Sequence, residues 1–292
     1  MKKTPEQLKA VTKEPASYRL AKSIQRAGVR GGHRLENMLR DNGRLDLCVR
    51  YRLSNDVEID IPIGERSYDL YDLTHYESDS VKQIAPIISS YNQDFCLLDC
   101  GADIGLMSAK FVSAFPEIKK VISFEPNPIS YQYLKMNLKL LNVEAKAMNI
   151  GVSNFKGMAE LRAPDFDSHD HAAFVVPSVD GDFEVTTIDD LGLSRENAIF
   201  LKIDVEGAEL SVIQGAKNTI TAVDDVVILF EAHPKQVERT NIDPCEIIRL
   251  VNSIKECEVK IMEAPGDVID LSQSFFSQFP DKVFNICLYT KK

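Results

Sequence analysis

From Phe95 onward, short apolar runs alternate with stretches in which apolar residues recur every three or four positions. FCLLDCG, KVISFEP and EAKAMNIGV are separated by IGLMSAKFVSAF and ISYQYLKMNLKLL. Brief continuous runs predict buried strands, and the periodic stretches predict amphipathic helices. The series resumes with IFLKIDV, AELSVIQGAKNTI, VVILFEAHP, DPCEIIRLVNSIKE, EVKIMEA and FNICLYTKK. Strand and helix in alternation imply a seven-stranded, mostly parallel α/β sheet with right-handed crossovers. The last strand follows closely on its predecessor and is expected as an antiparallel edge. A hairpin around Lys156-Gly157 and a polar segment to Asp182 interrupt the series.

Ahead of this core the pattern differs. The stretch to about Arg40 reads as helices broken at Pro15 and at Gly28 to Gly32. LDLCVRYRLSNDVEIDIPI then alternates apolar and polar positions around Ser54-Asn55-Asp56, which predicts a β-hairpin. A helix through VKQIAPIISSY leads into the α/β series. The expected organisation is an N-terminal helical and β-hairpin extension over 1–90 and an α/β domain over 91–292.

Composition narrows the function classes. With 292 residues, 44% of them hydrophobic and 27% charged, the chain can bury a large core. No apolar run reaches the ~20 residues of a membrane helix, and the opening lysines lack an apolar stretch behind them, so a cytoplasmic protein without a membrane span is expected. A net charge of −10 disfavours nucleic acid as the main partner. The first 44 residues nevertheless hold eleven Lys/Arg against four Asp/Glu; a solvated helical face accounts for them, and docking on an anionic partner or on the acidic body of a neighbouring subunit, giving a homo-oligomer, is the alternative. Six scattered cysteines with no CxxC pair read as reduced thiols.

Candidate chemistry begins at the first strand-to-helix turn, Asp99-Cys100-Gly101-Ala102-Asp103-Ile104-Gly105. Gly101 permits a tight turn and Gly105 lets the helix pack near the strand. The segment fails as a dinucleotide fingerprint, because Asp103 and Leu106 stand where glycines are needed. Two carboxylates here would repel a pyrophosphate. They suit the sulfonium and ammonium of S-adenosylmethionine, whose carboxylate can meet backbone N–H groups. Glu125, followed by Pro126 at the end of the second strand, is spaced to hold both ribose hydroxyls. A helix cap at Asp103 and a surface charge at Glu125 are the structural alternatives.

The segments DCGADIG, VISFEPNPISYQYLKMNLKLL, IGVSNFKGMAEL, TTIDDL and FLKIDVEGAELSVIQGA, in that order between Tyr51 and Pro234, resemble the successive blocks of the FkbM family of methyltransferases. The resemblance implies a class I methyltransferase (Rossmann-like) fold, S-adenosylmethionine as cofactor, and methylation of a hydroxyl on a sugar, polysaccharide or secondary metabolite. It carries Asp99, Gly101, Asp103 and Glu125 over as cofactor residues, with Asn149 or Ile150 near the adenine. Ala102, Gly105 and Pro126 complete the expected cofactor set, together with Asp204. Asp103 departs from the family, which more often shows Asn there.

Methyl transfer to oxygen needs an aligned acceptor and a group to take its proton. The fourth and fifth strands end in Lys202-Ile203-Asp204-Val205-Glu206-Gly207 and Phe230-Glu231-Ala232-His233-Pro234. Strand alternation puts Lys202 and Asp204 on one face, and Asp204 closes an otherwise apolar strand. A base, a helix cap and a metal ligand all fit it. His233 is the alternative base by its titration range, or a structural hydrogen-bonder. Asp204, Glu231 and His233 form the candidate catalytic set. By analogy with catechol-type methyltransferases they could hold a divalent ion, which is not expected to be strictly required. Glu206 and Glu209 read as helix N-terminal carboxylates. His169-Asp170-His171 with Asp165 and Asp167 form a polar segment that could face the acceptor. An N-methyltransferase on protein or nucleic acid is disfavoured, because Asp204-Val205-Glu206-Gly207 replaces the Asn/Asp-Pro-Pro-aromatic turn suited to a planar amine. A cofactor-binding module without catalysis is the remaining alternative.

Overall fold

Alternating side chains in the N-terminal region build a small sheet with two apolar faces. The computed structural model describes residues 5–27, 32–54, 56–63, 76–162, 174–193, 196–280 and 282–292. β1 (Lys9–Val11) runs parallel to β2 (Leu47–Arg52), which pairs antiparallel with β3 (Glu58–Pro62). The hairpin matches the sequence expectation, with Arg52 opposite Glu58. The short strand β1 was not legible in the pattern. Tyr18, Ala21 and Leu39, from the helices Ala16–Arg26 and Gly32–Asp41, pack with Val49 and Ile63 on one face. Cys48, Val57, Ile59 and Ile61 face the other way, into the main core. The helix Ser78–Ser90 follows, with Pro86 inside it.

The α/β series supplies β4 (Phe95–Cys100), β5 (Ile118–Phe124) and β6 (Glu144–Met148), then β7 (Gly151–Val152), β8 (Gly157–Arg162), β9 (Phe174–Pro177) and β10 (Phe183–Thr186). It closes with β11 (Ala198–Ile203), β12 (Asp225–Ala232), β13 (Cys257–Ile261) and β14 (Phe284–Thr290). Among the described residues, seven strands form one sheet in the order β13-β14-β12-β11-β4-β5-β6. All run parallel except β14, which is antiparallel to both β12 and β13. β14 therefore lies inside the sheet and β13 takes the edge. Burial explains the exchange: FNICLYT is mostly buried, whereas CEVKI is half-buried along most of its length.

The continuous apolar runs follow from burial on both faces. Phe95, Leu97 and Phe200 point into one layer, against the helices Leu106–Ala114 and Pro128–Leu138. Cys96, Leu98, Ile199, Leu201 and Ile203 point into the other, against Val212, Ile220 and Ile248. Each such side chain contributes about 1.5–3 kcal/mol relative to exposure. Helix entry is set locally: Asn127 accepts from the Ile129 and Ser130 N–H groups ahead of Pro128, which satisfies orphan donors and uses proline where no N–H is needed.

The interruption after β6 is a second sheet, ordered β7-β10-β8-β9. A simple hairpin at Lys156-Gly157 does not form, because β10 inserts between β7 and β8. The polar segment carrying Asp165, Asp167, His169, Asp170 and His171 lies outside the described residues. All six cysteines are free, and burial pushes the thiols of Cys48, Cys96, Cys245 and Cys287 up to about 12.

Candidate functional site

The strand order reverses direction between β4 and β11, whose carboxyl ends therefore open a crevice. The turn after β4 is held by backbone hydrogen bonds to β5 and within itself: Gly101 and Ala102 both donate to the Phe124 carbonyl at 3.0 Å, and Gly105 donates to that of Ala102 at 2.7 Å. Those N–H groups are paired with the end of β5 or within the turn and are not free for a ligand carboxylate. Gly101 has φ 76°, and a Cβ there would lie 1.8 Å from the Asp204 carbonyl oxygen. Only glycine lets β11 approach so closely. Asp103 adopts φ 47° and Gly105 φ 86°, so two left-handed residues flank Ile104.

Glu125 is buried and locks this turn to the end of β5. One carboxylate oxygen accepts the Asp103 N–H and the other the Asn127 N–H, each at 2.8 Å. Burial raises its pKa to about 7, helped by the Asp103 carboxylate and opposed by the two backbone donors and Lys202. A carboxylate offers about four lone-pair sites, so two acceptor positions remain, enough for a vicinal diol. Asn149 braces the same strand end, donating to the Glu125 and Pro126 carbonyls at 2.8 and 3.0 Å. Ile150 is half-buried against the core layer behind it.

Asp99 departs from the expected geometry. It is fully buried, accepts from Ser108 Oγ at 2.5 Å, and its other oxygen stands 3.2 Å from the Lys202 ammonium. Its charge is thus consumed within the protein, and only Asp103 of the expected pair remains beside the turn. Lys202, opposite Asp99 in the β4–β11 register, also lies 3.3 Å from Asp204 and donates to the Gly101 carbonyl at 3.1 Å. Burial alone would lower the lysine's pKa; Asp99 and Asp204 outweigh it and hold it above its ordinary value. The ammonium thereby joins the turn after β4 to Asp204, whose own N–H donates to the Cys100 carbonyl at 3.0 Å.

A shallow cleft adjoins this point and is lined by Tyr76, Glu77, Met107, Lys202, Asp204, Leu229, Glu231 and Asn285, among others. Asn285 stands opposite Glu231 in the β12–β14 register and donates to Glu77 at 3.0 Å. Lys110 donates to the Tyr76 carbonyl and so fixes that segment at the rim. Burial pushes Glu231 up to about 8, reinforced by Asp204, Glu206, Glu209 and Glu77. The structure therefore brings Asp204 and Glu231 together in one cleft.

His233 is placed differently. It caps the helix Pro234–Thr240, its Nδ1 accepting the Lys235 N–H at 3.1 Å, and burial with Lys235 and Arg239 lowers its pKa. Among the described residues no group of three or more His, Cys, Asp or Glu side chains is arranged to hold a metal ion, so the candidate cluster of Asp204, Glu231 and His233 does not form. Glu209 accepts the Gly207 N–H at 3.0 Å, as a carboxylate at a helix start would, and Glu206 lies 3.5 Å from Arg239. Glu206 and Gly207 both have positive φ, at 54° and 107°, so the loop after Asp204 is conformationally restrained.

Sequence reasoning left out Lys202, Tyr76, Glu77 and Asn285 as site residues. A lone lysine inside IFLKIDV, on the same face as Asp204, was a usable signal. Tyr76 and Asn285 come from distant elements and carried none.

Comparison with known proteins adds the following. The model of the methyltransferase FkbM domain matches residues 99–270. Methyltransferase sdnD of Sordaria araneosa is 28% identical over 158 residues, covering 41% of this chain and 59% of that protein. Hexuronic acid methyltransferase AglP of Haloferax volcanii is 25% identical over 174 residues, covering 58% of this chain and 66% of that protein. The matches thus span somewhat under two thirds of either relative. A crystal structure of methyltransferase FkbM from Methylobacillus flagellatus KT superposes with a TM-score of 0.44 at 18% identity, covering 67% of this chain and 44% of that one.

Proposed function

The chain belongs to the FkbM methyltransferase family, and from that we propose that it is an S-adenosylmethionine-dependent O-methyltransferase acting on a hydroxyl of a saccharide or other small polyhydroxylated acceptor. The observation that carries this reading is the placement of Asp204: its backbone touches the cofactor turn while its carboxylate, 36% exposed, lines the cleft. Glu125 and Gly101 are the residues at the turn that support this cofactor. Glu125 retains acceptor capacity for a ribose diol, and Gly101 keeps the strand ends close. When bound, S-adenosylmethionine supplies an electrophilic methyl group on a sulfonium.

The protein's own groups then have separable tasks. Asp204 accepts the hydroxyl proton of an acceptor in the cleft. Lys202 keeps that carboxylate oriented, and Asp99 neutralises the buried lysine from below. Asn285 and the Tyr76 segment shape the far wall. A sugar acceptor is further supported by the Haloferax relative, which is described as acting on hexuronic acid.

Replacing Asp204 by Asn keeps the shape and removes the charge. Screening sugars and nucleotide sugars by mass spectrometry for a gain of one methyl identifies an acceptor. On it, the variant should turn over ~10²–10⁴-fold more slowly while binding cofactor within a few-fold of the parent. Undiminished turnover would remove Asp204 from the chemistry.

A further inference from the structure

Asn137, at the end of the helix Pro128–Leu138, is 1% exposed and spends its whole amide on two distant backbone segments. Its Oδ1 accepts the Asp60 N–H at 2.9 Å, and its Nδ2 donates back to the Asp60 carbonyl at 3.0 Å. That two-bond exchange is what a neighbouring strand would offer β3. The second N–H of the same Nδ2 goes to the Ile104 carbonyl at 2.8 Å. Ile104 is the residue between Asp103 and Gly105, both left-handed. A carbonyl presented by such a turn needs a fixed partner, since positive φ at a non-glycine residue is held only by its surroundings.

The link is stiff at both ends. On β3, the Asp60 carboxylate takes two hydrogen bonds of 2.7 Å from Arg50 on β2. At the turn, a Cβ on Gly105 would meet Leu134 Cδ1 at 2.9 Å and the Asn137 Cβ at 3.8 Å, so the turn packs directly on this helix. Ile59, Ile61, Ile104 and Leu134 share one apolar cluster. A shift of the turn is therefore passed to β3 through packing as well as through the amide.

We propose that Asn137 is a positioning residue that couples the cofactor turn to the N-terminal sheet, so that cofactor binding tightens β3 and the sheet in turn sets cofactor affinity. The coupling is reciprocal by thermodynamic necessity. It rests on the reading of the 101–105 turn as the cofactor site.

Hydrogen exchange of the full chain, with and without S-adenosylhomocysteine, tests it. Exchange should slow in peptides covering 101–106 and 57–62, and much less in the edge strand β13. In Asn137→Ala the response at 57–62 should shrink to the part that packing alone transmits, and affinity for S-adenosylhomocysteine should fall about tenfold, as the loss of one or two buried hydrogen bonds predicts. Protection of 101–106 without 57–62 in the parent overturns the coupling, whether or not the variant folds. Equal protection everywhere, β13 included, also overturns it, because that is global stabilisation. Protection of 57–62 without 101–106 sinks the turn as the cofactor site, and no protection anywhere sinks both.

Discussion

At the scale of single residues, Glu231 shows how the cleft stores a protonation preference. Its pKa moves from 4.5 to about 8, first through burial and then through Asp204, Glu206, Glu209 and Glu77. Between those values the folded protein holds a proton that the unfolded chain has released, so stability falls as pH rises through that window and is level above it. Glu125 and Glu209, each raised to about 7 by burial, slope the same way. In Glu231→Gln the melting temperature should rise relative to the parent as pH passes from about 4.5 to about 8; melts in a pH series that keep a constant difference would refute the assignment. The sequence displayed Asp99, Asp103 and Glu125 together, and all three do gather at the first two strand ends. It could not show that Asp99 is spent on Lys202, because that pair depends on the register of β11 against β4, and register is not written in the apolar pattern.

At the scale of elements, the alternation of strand and helix was legible because strands buried on both faces leave unbroken apolar runs. The position of β14 was not, since β13 and β14 differ by degree of burial and not by period. The second sheet escaped as well: β7 has two residues and β10 four, too short for any periodicity to register. Where the elements meet most tightly, at Gly101, the sequence did signal correctly. An alanine there would place its Cβ 1.8 Å from the Asp204 carbonyl at φ 76°. Gly101→Ala should therefore destabilise the fold by at least roughly 1–3 kcal/mol and weaken cofactor binding with it. A thermal melt indistinguishable from the parent would show that β4 and β11 can separate at no cost.

At the scale of the molecule, the change of pattern near residue 90 marks a change of architecture, while burial runs across it. Cys48, Val57, Ile59 and Ile61 belong to the same cluster as Leu97, Phe111 and Phe200, and Asn137 stitches β3 to the turn. Deleting residues 1–63 should leave that apolar face open to water and give an aggregating or non-cooperative product by circular dichroism and size exclusion. A monomer with a sharp melt would instead make the N-terminal region an independent unit. The thiols carry a different consequence. Five of the six cysteines are buried, and burial raises the sixth, Cys257, to about 11; thiolate is the form that alkylating agents and oxidants attack. Folding thus suppresses reaction with such reagents, and each molecule that opens offers six reactive sulfurs at once. Mass added by a brief pulse of iodoacetamide records which molecules have opened, with no cofactor, acceptor or fluorophore required.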